Sequence, residues 1–72
     1  MSVTSNQVKN LLTGGNQHFS QLGFGLMVTR LKGVYKANPS PATLQSCTQE
    51  INAFLTKFGM IMKDDAAILS RL

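Results

Sequence analysis

The sequence predicts an all-α fold: an antiparallel two-helix hairpin closed by a proline turn, preceded by a mobile N-terminal tail and expected to oligomerise. Three features carry that expectation. Leu44, Cys47, Ile51, Phe54, Phe58, Ile61, Asp65, Ile68 and Leu72 follow alternating steps of three and four, a heptad-like seam of eight apolar residues and one aspartate. Phe24, Met27, Val28, Leu31, Val34 and Tyr35 share one helical face. Between the two patterns stands Asn38-Pro39-Ser40-Pro41, whose prolines bias Asn38 and Ser40 away from helical geometry.

Residues 1–15 hold Val8, Leu11 and Leu12 as a short apolar cluster ended by Gly14-Gly15, and read as a mobile tail or a short helix. A first helix is predicted over 17–37. Phe19 and Leu22 extend its apolar face back towards Asn16, a candidate N-cap, while Gly23, Gly25 and Gly33 weaken it. The turn occupies 38–40, with Ser40 as N-cap and Pro41 in the first helical position. A second helix follows over 41–72, its stripe widened by Leu55, Met62 and Leu69. Gly59 interrupts it at a cost of roughly 1 kcal/mol against alanine. Either one helix runs through, which the unbroken phase of the seam favours, or a second helix starts near Asp64 and Asp65, where acids suit the dipole. The expected hairpin core is Phe24, Val28, Leu31, Leu44, Cys47, Ile51, Phe54 and Phe58. Both stripes are wider than one helix–helix contact needs, so apolar surface is expected to remain for partners.

At 72 residues, 43% hydrophobic and 14% charged, the chain is too apolar for a disordered polyelectrolyte. It is also short enough to be marginal without staples or partners. Cys47 alone cannot close an internal disulfide, and one His with one Cys cannot complete a tetrahedral metal site. No cofactor or metal is therefore expected. The charge of +4 comes from Lys9, Arg30, Lys32, Lys36, Lys57, Lys63 and Arg71 against three acids. Only Arg30, Lys32 and Lys36 cluster, which gives weak, salt-sensitive phosphate binding at best; a solvated face is the plainer reading. No run of about 18 apolar residues is present, so no membrane span is expected. The start Met1-Ser2-Val3-Thr4 has neither the basic nor the apolar region of a cleaved signal.

No catalytic constellation is visible, and the chain is not expected to be an enzyme. Glu50, Asp64 and Asp65 are the carboxylates, and adjacent Asp64 and Asp65 would point about 100° apart on a helix. Cys47 on the apolar seam reads as a small buried hydrophobe, and His18 as a surface imidazole. Gly14-Gly15-Asn16 lacks the strand before it and the Lys-Ser/Thr ending of a phosphate loop.

Two stretches resemble the needle-subunit family of type III secretion systems. One is Asn38-Pro39-Ser40-Pro41-Ala42-Thr43-Leu44, followed by Cys47, Ile51-Asn52 and Phe54; the other is Met62-Lys63-Asp64, then Ile68-Leu69 and Leu72. Together they cover about half the chain. The interval from Ile51 to Lys63-Asp64 looks about two turns shorter than in the family, and the family is usually more acidic. The resemblance implies a protomer that polymerises into a hollow needle filament conducting unfolded proteins out of a Gram-negative cell. It would be secreted to the cell surface without a cleaved signal. Its partners would be copies of itself, a secretion chaperone and the export apparatus. On this resemblance Met62, Lys63, Asp64, Ile68, Leu69 and Leu72 would form the subunit interface, although Lys63 equally reads as an exposed charge and Asp64 as a helix-dipole partner. A small helical adaptor or chaperone, cytoplasmic and clasping a partner protein, is the alternative. A nucleic-acid-binding helical protein is third, since no helix-turn-helix pattern is evident.

Overall fold

The computed structural model describes residues 2–15, 17–57 and 63–72. These form four helices: α1 (Ser5–Thr13), α2 (Leu22–Ala37), α3 (Pro41–Lys57) and α4 (Lys63–Ser70). The expected two-helix hairpin is thus corrected to a four-helix globule in which α1 packs on both α2 and α3, and α2 packs on α3. The physical reason lies in the first 15 residues. Val8, Leu11 and Leu12 occupy one face of α1 and, with Val3, are buried in the core. They cover the surface that a bare hairpin would leave open.

Local chemistry decides between the two readings of residues 1–15, a mobile tail or a short helix, in favour of the helix α1. Thr4 and Gln7 form a capping box: the Gln7 amide donates to Thr4 Oγ1 at 3.2 Å and the Thr4 amide donates to Gln7 Oε1 at 2.9 Å. At the other end the Gly14 amide donates to the Asn10 carbonyl at 2.8 Å. A Cβ at Gly14 would stand 2.6 Å from that same carbonyl oxygen, so the cap requires glycine. The segment is then pinned to α3. The Asn52 side chain accepts from the Val3 amide at 2.7 Å and donates to the Val3 carbonyl at 2.9 Å, pairing with the backbone as a neighbouring strand would.

The predicted start of the first helix moves inward, from 17 to Leu22; Asn16 lies outside the described residues. At the turn, the Ser40 hydroxyl accepts from the Thr43 amide at 3.2 Å and the Ser40 carbonyl accepts from Leu44 at 3.0 Å, with Pro41 opening α3. The second half is two helices rather than one. A continuous helix over 41–72 would be about 48 Å long at 1.5 Å per residue, whereas the longest dimension of the molecule is 30 Å. Gly59, the expected break, lies outside the described residues.

The core joins all four helices: Val3, Val8, Leu11, Leu12, Phe24, Val28, Leu31, Cys47, Ile51, Leu55 and Leu69. Phe24 is its largest fully buried side chain. Phe19 meets the Phe24 ring edge-on at 4.9 Å between centroids, and Phe54 meets it at 5.3 Å.

Candidate binding surface on the second helix

With one face of α2 given to the core through Phe24, Val28 and Leu31, the 3.6-residue period sends Leu22 and Leu26 to the opposite side. They are 73% and 62% exposed, and Val34, on the flank, is 43% exposed. No other large hydrophobic among the described residues is exposed to this degree. Scattered exposed leucines need no explanation, but Leu22 and Leu26 stand one turn apart beside a groove. That groove encloses about 210 Å³ between α2 and the segment before it. Phe19, Gly25 and Val28 line it with the two leucines, and His18 and Lys32 add polar edges. Gln17 also lines it, and its Oε1 is a buried acceptor with no partner among the described residues.

The N-terminus of α2 is set by a residue from the far end of the chain. Gln21, the N-cap, makes no side-chain capping bond, and the first turn of α2 carries no acid. Instead the Asp65 carboxylate of α4 accepts from the Ser20 amide at 2.7 Å and from the Gln21 amide at 3.0 Å. This explains the aspartate on an otherwise apolar seam. Asp65 is fully buried because it satisfies backbone donors of a helix start, with its charge at the positive end of the α2 dipole. It therefore holds the edge of the groove that Leu22 and Phe19 line.

The charge distribution is one-sided. Residues 1–49 contain four cations, Lys9, Arg30, Lys32 and Lys36, and no carboxylate; residues 50–72 contain three cations and three acids. The whole net charge of +4 thus belongs to the part of the chain that carries α1 and α2. Arg30 is paired with Glu50 of α3, an exposed pair worth little in stability. That pairing leaves Lys32 and Lys36 as the members of the predicted basic cluster without an ion pair among the described residues.

The residues predicted for the site are dispersed. Cys47 and Ile51 are buried, while Leu44 and Phe54 pack against the core from partly exposed positions. Burial pushes the Cys47 thiol above its ordinary range, with the nearby Arg30 charge acting in the opposite direction. Asp64 is exposed, Ile68 half-buried and Leu69 fully buried within the protomer, with Leu72 packed on the core. Phe58, Met62 and the side chain of Lys63 lie outside the described residues. His18 is exposed. The sequence reading places Leu22 on the apolar face of the first helix and does not name the outward face of α2 as a site; the structure instead exposes Leu22 with Leu26, out of phase with Phe24, Val28 and Leu31.

Among the described residues no group of three His, Cys, Asp or Glu is placed to hold a metal ion, and no helix is long and apolar enough to cross a membrane. Compared with protein-family models, curated proteins and solved structures, the chain matches none.

Proposed function

We propose that the protein is a small helical adaptor that docks an acidic, amphipathic helix of a partner protein against the outward face of α2. The observation that carries this reading is the pair Leu22 and Leu26, exposed beside a groove in the stretch 1–49, which has cations and no carboxylate. Two aliphatic side chains one turn apart offer the spacing at which a partner helix sets its own apolar residues. Lys32 at the groove's edge favours carboxylates flanking that apolar row, and electrostatics of this kind govern partner choice and approach more than affinity.

The test is a titration with a synthetic helical peptide bearing leucines at every fourth position and glutamates beside them. Binding that shifts the amide signals of 17–32, and that is lost in Leu22→Ser/Leu26→Ser, is expected. Shifts confined to other helices, or unchanged affinity in the double variant, would reject the reading.

A filament subunit is the second reading, and the Pro-turn and Lys63-Asp64 resemblance favours it. In this fold, however, α1 covers surface that a hairpin would leave for copies of itself, and Leu69 serves the protomer's own core. Among the described residues, the exposed apolar ground for a polymer is Leu22, Leu26 and Val34.

A further inference from the structure

A second and larger cleft, about 590 Å³, lies where the end of α1 meets the C-terminal half of α2. Leu12, Tyr35 and Pro39 give it apolar walls, Gly14 and Gly33 contribute bare backbone, and Lys32 and Lys36 stand one helical turn apart at its side. We propose that this cleft binds a small amphiphilic monoanion, a ring or short chain carrying one acidic head group. It is a site separate from the docking face around Leu22 and Leu26.

The size falls within the range of small-molecule pockets, roughly 300–1,000 Å³. The charge follows from the side chains. Lys32 and Lys36 bring two positive charges, and neither forms an ion pair or hydrogen bond among the described residues. The C-terminal ends of α1 and α2 offset only part of that charge, since the Asn10, Val34 and Tyr35 carbonyls already accept from the Gly14 and Asn38 amides. The cleft stays net positive, which suits an anionic head group.

Gly33 supplies an independent observation. It is exposed in the interior of α2, where glycine costs roughly 1 kcal/mol against alanine. A Cβ there would meet nothing within 4 Å among the described residues, so no packing contact with them requires glycine. Its backbone is ordinary helix, so no positive φ requires it either. The space left by the missing side chain borders the cleft, and a bound ligand would use it.

The probe is 8-anilinonaphthalene-1-sulfonate, an aromatic monoanion, followed by fluorescence titration and by amide shifts. One saturable equivalent is expected, with shifts at 12–14 and 32–36. Lys36→Gln and Gly33→Leu should each weaken binding roughly tenfold, about 1.4 kcal/mol, while their thermal melts stay cooperative. Lys36 decides more than Lys32, because Lys32 borders both clefts. Leu22→Ser/Leu26→Ser should leave the affinity unchanged, which separates this site from the docking face. Equal affinity in Lys36→Gln or Gly33→Leu would overturn the proposal, as would loss of binding in the leucine variant. Competition by inorganic phosphate as strong as by the aromatic probe would overturn the requirement for an apolar body.

Discussion

Asp65 shows how one side chain can tie distant parts of a small fold together. Its carboxylate caps α2 from α4, across 44 and 45 residues of sequence. Removing it would leave two backbone amides without acceptors, and an unsatisfied buried donor costs about 1–3 kcal/mol. Asp65→Ala is therefore expected to lower stability by about 2 kcal/mol, a large share of the few kcal/mol that hold a domain this size. Asp65→Asn keeps one acceptor oxygen and should fall between the two. Urea midpoints of the three proteins check the order, and an unperturbed alanine variant would deny the cap its role. Cys47 gives a prediction in pH. Its buried thiol titrates above the ordinary value of 9.0, so as pH rises through that value the unfolded chain loses the proton first. By linkage, stability is then lost. The stability difference between pH 7 and pH 10 should be larger in the wild type than in Cys47→Ala, as measured by urea unfolding of both.

Among the elements, α1 separates the observed fold from the expected hairpin. Leu11 is 1% exposed at the junction of α1 with the core. Truncation of such a leucine typically costs about 2–5 kcal/mol, close to the whole stability of a small domain. Leu11→Ala should thus abolish a cooperative thermal transition or lower its midpoint steeply; a mobile tail would leave the melt untouched. The apolar periodicity made α2 and α3 legible, since Phe24, Val28, Leu31, Cys47 and Ile51 recur at helical spacing over several turns. Only one turn of α1 is apolar, too little for periodicity to identify, and its identity rests on the Thr4–Gln7 capping box and on Asn52, 49 residues away from Val3. The cap on α2 was half legible. Leu22 starts a helix with no Ser, Thr, Asp or Asn directly before it, and Asp65 is a lone acid on an apolar seam. Each anomaly answers the other only once the chain is folded. The binding faces were hidden for a further reason: periodicity reports which side of a helix is apolar, not which side its neighbours leave uncovered.

At the scale of the whole molecule, surface area bears on whether the chain must assemble. A monomeric globule of 7.8 kDa is expected to expose about 4,400 Å², and this one exposes 4578 Å². The near agreement shows a chain folded as compactly as a monomer of its mass, so the question of association turns on particular patches. The sign of the charge then separates the two readings of the α2 face. Two copies meeting there would bring Lys32 of each into one interface, where like charges repel and salt relieves the repulsion. An acidic partner helix would be attracted by the same lysine, and salt would weaken it. Self-association must therefore strengthen as salt rises, and adaptor binding must weaken. Sedimentation of the protein alone, from micromolar to millimolar concentration and from low to molar salt, is expected to give a monomer throughout. Over the same salt series the acidic helical peptide should lose affinity steadily. Fibres that grow with salt, alongside peptide binding indifferent to it, would transfer the face of α2 from a foreign partner to a second copy of the chain.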